Sequence, residues 1–299
     1  MAHCQVRAFP AMGTFNTLTV YDAEDFSAAM EQVEKTVLRM DRLWSVYRED
    51  SEVSAINMAA GTGAVTVSAE TLCMLSTGKQ LAARTNGAFG LTTRPLTELW
   101  LADRAPKASA VSKARALVND DALVLNAETR TAYLTQRGMG IDLGGIAKGY
   151  AADTARRMLL AVGVKDAILN FGGTVTVIGG PRPVGIRNPF GTEGGKKIVL
   201  NIKDTSVVTS GTYERGAHII DINTGRPSAS EIVSATVIMP AEGSTCVSAG
   251  LDVLATACIA SEKEKAAELL KRFNAEGIFI FSDGNVFCTP DLFEKEILK

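Results

Sequence analysis

Strand-like and helix-like segments follow one another irregularly along the whole chain, and this irregularity limits the fold more than any other feature. Residues 14–21 alternate and carry β-branched side chains, the pattern of a half-buried strand. Over residues 24–45, Phe26, Met30, Val33, Val37, Met40 and Trp44 recur at helical spacing. A second helix is predicted over 68–85, opening at Ser68 with Glu70 in its first turn. Residues 122–126 and 131–135 read as a hairpin, and 146–162 as a helix. Short strands are predicted near 166–171, 174–179, 197–202, 206–209, 217–222 and 232–239. Helices fit 246–260 and 263–274, and a closing hairpin pairs 277–281 with 285–288 through a turn at Asp283-Gly284. A regular βαβ repeat would alternate evenly, so the mixture predicts an α+β fold. No internal repeat, low-complexity tract or linker marks a boundary.

Charge and cysteine usage narrow the functional classes. The chain has 31 basic and 33 acidic residues, a net charge of -2, and no strongly basic stretch. Nucleic acid and anionic membrane surfaces are thereby disfavoured as partners. Cys4, Cys73, Cys246, Cys258 and Cys288 are widely spaced with no C-x-x-C, so neither a disulfide framework nor a zinc site is indicated. Scattered small core residues of this kind fit a reducing compartment. There is no apolar run long enough to span a membrane and no leader-like N-terminus. The expected location is cytoplasmic, or periplasmic if a leader has been removed.

Four segments carry the chemistry-bearing residues. In Gly140-Ile-Asp142-Leu-Gly144-Gly145-Ile-Ala-Lys148-Gly149-Tyr150, a strand ends, glycines turn the chain and a helix begins. Such a turn lets backbone approach a ligand and offers free N–H groups to an anion, although it also serves simply to pack a helix on a sheet. Neither a Walker A loop nor G-x-G-x-x-G is present. Gly172-Gly173, after an apolar strand, reads as a β-bulge or a second close-approach loop. Thr209-Ser210-Gly211-Thr212-Tyr213-Glu214-Arg215, followed by His218, Asp221 and Thr224-Gly225-Arg226-Pro227, crowds polar groups around turns. His218 is one of two histidines, the other being His3 near the terminus, so it is the candidate acid–base. Lastly, Asp252 and Thr256 share one face of a small, apolar predicted helix. An acid there is costly unless it is paired or metal-bound, and these oxygens suit a hard cation; a surface Asp with a back-bonded Thr is the alternative.

Further fragments lie toward the N-terminus: Met12-Gly13-Thr14, Ser45-Val46-Tyr47, Ser51-Glu52 through Asn57, and Gly87-Ala88-Phe89-Gly90 through Pro95-Leu96 and Trp100. Tyr47 could stack on a planar ligand. Taken in order, M-G-T, S-x-Y…S-E-x-S-x-x-N, G-A-F…P-L…W, D-L-G-G-I-A-K-G-Y-A-x-D, G-G, T-S-G-x-Y-x-R…H-I-I-D…T-G-x-P and D-x-x-x-T resemble the ApbE family of FAD:protein FMN transferases. The resemblance covers about residues 8–282.

The resemblance implies one α+β domain over residues 1–299 with mixed sheets and an FAD cleft. It implies that Met12, Tyr47, Ala88, Phe89, Gly90, Asp142, Lys148, His218 and Ile220 line the flavin site. It also implies Mg2+ held by Asp252, Thr256 and the carbonyl of Gly145. FAD is then the substrate. A Thr or Ser hydroxyl of an acceptor flavoprotein, in an Asp-Gly-x-Ser/Thr-type motif, receives FMN as AMP leaves. His218 is the expected base, and Asp252 the expected catalytic carboxylate through the metal. The chain's own Asp283-Gly284-Asn285-Val286 does not match the acceptor motif, so self-modification is not expected. Gly90 replaces the family's Asp, Ile222 replaces the usual Pro after Asp221, and Thr174 stands where Asn or Asp is expected. The alternatives are an FAD pyrophosphatase at the same metal site, a non-catalytic FAD-binding protein, and an unrelated hydrolase built on His218 and Ser210.

Overall fold

The computed structural model describes residues 4–191, 198–212, 219–242 and 245–294. The strands are β1 (Gln5–Ala11), β2 (Thr14–Val20), β3 (Val65–Thr66), β4 (Leu123–Asn126), β5 (Thr131–Leu134), β6 (Ala167–Phe171), β7 (Thr174–Ile178), β8 (Arg182–Ile186), β9 (Ile198–Ile202), β10 (Thr205–Gly211), β11 (Ile220–Asp221), β12 (Arg226–Pro227), β13 (Ile232–Pro240), β14 (Glu276–Phe281) and β15 (Val286–Cys288). The helices are α1 (Ser27–Trp44), α2 (Glu52–Met58), α3 (Ala69–Arg84), α4 (Arg94–Ala102), α5 (Ala108–Arg115), α6 (Ala147–Ala161), α7 (Val247–Ile259), α8 (Lys263–Phe273) and α9 (Asp291–Glu294). The fold is α+β, as the irregular sequence pattern predicts.

The centre is an eight-stranded sheet in the order β1-β2-β6-β7-β10-β13-β14-β15, antiparallel at every step. One face carries α6 and α7, with α1 against α6 and α8 against α7. On the other face Val177, Val207, Ile238 and Ile278 form a separate apolar cluster with Val184, Ile186, Leu200 and Ile202 of the β8–β9 hairpin. α1 has the predicted apolar stripe: Met30, Val33, Val37, Met40 and Trp44 are all buried. α3 starts as expected, with Ser68 Oγ accepting the Thr71 N–H at 3.2 Å.

α7 is different, because it is apolar nearly all round. Every residue from Val247 to Ile259 except Thr256 is buried. A helix of that composition belongs in the interior, between sheet and outer helices. Leu251 and Leu254 are fully buried, each contributing roughly 2 kcal/mol. α6 crosses α7 at Gly149, where any side-chain carbon would overlap the carbonyl of Ser248.

One predicted strand is borne out, one reading is corrected and one strand falls partly outside the described residues. The strand at 14–21 is the second arm of a hairpin whose first arm, β1, contains Pro10 and forms a sheet edge, where proline is tolerated. Gly172-Gly173 is no bulge. It is the two-residue turn between β6 and β7, with φ of 54° and 93°, a pattern suited to hairpins. Of the predicted strand 217–222, Ile220–Asp221 is strand, while residues 217 and 218 lie outside the described residues.

Gly149→Ala is expected to lower stability by about 1–3 kcal/mol despite alanine's better helix propensity, because the added carbon drives α6 off α7. Urea denaturation followed by circular dichroism checks this; an unchanged or higher midpoint would contradict the packing argument.

Candidate active site

Asp252 sits in the middle of α7 and is 2% exposed. This removes the surface-Asp alternative. Its Oδ2 accepts the Gly149 N–H at 3.1 Å, and Lys148 Nζ lies 3.3 Å from both oxygens. Both partners come from the first turn of α6, whose N-terminal end attracts negative charge. The lysine distances are longer than a usual charge-assisted hydrogen bond, so the carboxylate keeps acceptor capacity. One turn on, Thr256 Oγ1 is 3.4 Å from Ser210 Oγ, a long contact for two hydroxyls. The backbone of Gly145 lies beside it: a Cβ on Gly145 would stand 3.3 Å from Thr256 Oγ1 and 2.7 Å from a Phe89 ring carbon. The predicted metal set, Gly145, Asp252 and Thr256, is therefore brought together, and only glycine fits beneath the Phe89 ring.

The glycine turn is held from several sides. Asn57 Nδ2 donates to the Ile141 carbonyl at 3.0 Å and its Oδ1 accepts the Ile141 N–H at 2.6 Å. Asp142 Oδ1 accepts the Gly144 N–H at 2.9 Å, and its Oδ2 accepts from Thr97 at 3.2 Å. Lys148 Nζ also donates to the Gly144 carbonyl at 3.2 Å. Arg94 Nε pairs with Glu98 Oε1 at 2.7 Å, while its buried Nη1 lies 4.0 Å from Asp142 Oδ2, too far for a hydrogen bond, and has no hydrogen-bond partner among the described residues. The guanidinium carbon is 5.7 Å from the centre of the Tyr47 ring, and Tyr47 is 80% exposed, open to stack on a ligand. Arg94 was not singled out from the sequence. The available signal was its place just before Pro95 at a helix start, which does not distinguish a site arginine from a surface one.

The remaining predicted residues flank this centre. Ala88 and Phe89 are buried, and Gly90 follows them in the same loop. Met12 occupies the β1–β2 turn at φ 54°, unusual for a side chain other than glycine. Thr14 packs on Gly172, Thr209 donates its N–H to the Gly173 carbonyl at 2.9 Å, and Ser210 reaches Thr256. The Met12–Gly13 and Gly172–Gly173 turns thus share the sheet end that carries Ser210. Ile220 is buried in β11. His218 lies outside the described residues, so the geometry does not bear on it. A groove of about 510 Å3 lined by Ile186, Phe190, Ile198, Ile280 and Val286 contains none of the predicted site residues.

Among the described residues, no three or more His, Cys, Asp or Glu side chains cluster as metal ligands. The oxygen set of one carboxylate, one hydroxyl and one carbonyl still fits Mg2+, which keeps several waters and takes few protein ligands. A model of the ApbE family matches residues 12–279. The chain belongs to the ApbE family. It is 31% identical to the FAD:protein FMN transferase of Treponema pallidum (strain Nichols), over 97% of this chain and 88% of that one. A FAD:protein FMN transferase of Klebsiella pneumoniae (strain 342) is 35% identical over 76% of this chain and 75% of its own. The crystal structure of Pseudomonas stutzeri flavinyl transferase ApbE in its apo form superposes with a TM-score of 0.85 at 25% identity, covering 98% and 96% of the two chains.

The last residue of this chain's D-L-G-G-I-A-K-G-Y-A-x-D segment, Asp153, fixes the helix that bears Asp252. Its two oxygens accept the N–H groups of Ser248 and Ala249, each at 2.9 Å, at the start of α7. Ser248 Oγ also joins Thr176 and Ser206 at 3.1 and 3.0 Å, tying α7 to β7 and β10. Burial pushes the Asp153 carboxyl up to about 6, and the two backbone donors only partly oppose this. Between pH 3.8 and about 6 the unfolded chain has released this proton while the folded one retains it. Stability attributable to Asp153 is therefore greatest below that window, falls by about 3 kcal/mol as pH rises through it, and is flat above. Asp153→Asn removes this dependence. Melting temperatures of both proteins between pH 4 and 7 test it: their difference should shift against the wild type as pH rises to 6, and a constant difference would refute the assignment.

Proposed function

We propose that this single-domain protein transfers FMN from FAD to a Thr or Ser hydroxyl of an acceptor protein, with AMP as the leaving product. The observation that carries the reading is the buried Asp252 beside Thr256 and Gly145, in a chain whose relatives are named FAD:protein FMN transferases. Asp252, Thr256 and the Gly145 carbonyl would hold Mg2+. When bound, the ion offsets negative charge on the pyrophosphate.

The chain's own residues supply the rest. Lys148, bonded to the Gly144 carbonyl, and Arg94, shared between Glu98 and Asp142, place two cations along the glycine turn, where an anionic substrate meets them at the start of α6. Lys148 is tethered by Asp252 and by the Gly144 carbonyl, so it is ordered before substrate arrives. Tyr47 offers an exposed ring for stacking, and Met12, Ala88, Phe89, Gly90 and Ile220 complete the flavin-side wall. In the transfer, the acceptor oxygen forms a bond to the FMN phosphorus as the bond from that phosphorus to the bridging oxygen breaks. AMP carries away the electron pair, and the hydroxyl proton passes to a base, for which His218 is proposed on the sequence alone. The acceptor is a flavoprotein bearing an Asp-Gly-x-Ser/Thr-type motif.

An acceptor peptide with this motif, incubated with the protein, FAD and Mg2+, is expected to gain the mass of FMN while AMP appears in equal amount. EDTA or Asp252→Ala should reduce the adduct at least about a hundredfold. Free FMN and AMP without an adduct would establish hydrolysis instead.

A further inference from the structure

Two of the three departures from the family pattern, Gly90 and Ile222, meet at one point. A Cβ on Gly90 would stand 3.6 Å from Ile222 Cδ1, and 3.4 and 3.5 Å from the two carboxylate oxygens of Asp120. Gly90 has no left-handed backbone conformation, so glycine is not required there by φ. What it provides is space, and a carboxylate from thirty residues further along the chain borders that space.

We propose that Asp120 is the positioning residue of the flavin-side loop, providing from a remote turn the carboxylate that the family pattern places at position 90. This rests on the functional reading above only for what the loop binds. Asp120 accepts the Leu91 N–H at 3.0 and 2.9 Å, the Thr92 N–H at 2.9 Å and the Thr92 hydroxyl at 2.7 Å. Thr92 Oγ1 in turn accepts the Asn119 N–H at 2.9 Å, which closes the exchange between the two segments. On its other side the loop is bonded to the glycine turn: the Asp142 N–H donates to the Leu91 carbonyl at 2.8 Å, and the Arg94 N–H to the Gly140 carbonyl at 3.1 Å. Asp120 thereby fixes the segment that holds Phe89 over Gly145. Ile222, at the tip of the β11–β12 hairpin, walls the same slot, and the hairpin is tied to the loop by Asn223 Nδ2 donating to the Gly87 carbonyl at 3.1 Å. An aspartate at 90 in this chain would set a second carboxylate against the first; with Asp120 removed, it would have room to take over the same donors.

The test compares wild type, Asp120→Ala, Asp120→Asn, Gly90→Asp, and the double variant Gly90→Asp/Asp120→Ala. Hydrogen exchange at the amides of Leu91 and Thr92 is read alongside FAD affinity by flavin fluorescence. Asp120→Ala is expected to speed exchange at both amides at least about tenfold and to weaken FAD binding by a similar factor, with Asp120→Asn intermediate. Gly90→Asp alone should also weaken FAD binding. The double variant should return exchange and affinity to within about threefold of wild type. Full protection in Asp120→Ala, or a double variant no better than Asp120→Ala, overturns the proposal. Should Asp120→Ala fail to fold, the Asp120→Asn protein and the double variant carry the same comparison. A wild-type protein that binds no FAD would overturn the functional reading instead, and the exchange data would still decide the role of Asp120.

Discussion

A carboxylate that is 2% exposed in the middle of an apolar helix must be met by charge or by hydrogen-bond donors, and the contact between α6 and α7 is arranged around that need. Gly149 lets the two helices touch, its N–H reaches Asp252, and Lys148 lies alongside. The glycine turn at 144–145 can then enter α6 close enough to bring backbone beside Thr256. Each part depends on the one before. Glycine at 149 leaves no side-chain carbon to overlap the Ser248 carbonyl, and Asp153, accepting the Ser248 and Ala249 N–H groups, fixes the start of the helix that carries the carboxylate.

Charge alternates along this path from Arg94 through Asp142 and Lys148 to Asp252. The two acids are used differently. Asp142 is committed to holding the turn, because its oxygens already accept from Gly144 and Thr97. Among the described residues, Asp252 has long contacts to its lysine and one backbone donor, which leaves lone pairs for a cation. Thr256 has the same character, since its contact with the Ser210 hydroxyl is 3.4 Å. Among the described residues of the cluster, the side-chain oxygens of Asp252 and Thr256 thus keep more acceptor capacity than those of Asp142.

Much of this was legible in the sequence where local pattern decides the outcome. The stripe of α1, the capped start of α3 and the continuously apolar α7 are set by spacing and composition. Asp252 and Thr256 pair because a helix turns every 3.6 residues. Other parts depend on contacts that no local window contains. β1 was missed because Pro10 interrupts its alternation and only its edge position makes that harmless. α4 starts on Arg94 with Pro95 second and buries little beyond Leu96, so its pattern is faint. The left-handed Met12 carries no mark in composition. Asn57 and Asp120 act on backbone groups of residues 141 and 91–92, a relation that only the folded chain displays.

The central claim is that Asp252 and Thr256 hold a divalent cation, and the most direct test is Mn2+ binding followed by electron paramagnetic resonance in the presence of FAD. Wild type, Asp252→Asn and Thr256→Val would be titrated, with circular dichroism confirming that each is folded. The account predicts one bound Mn2+ per wild-type chain and at least about tenfold weaker binding in each variant. Mn2+ bound equally well by all three folded proteins would contradict it.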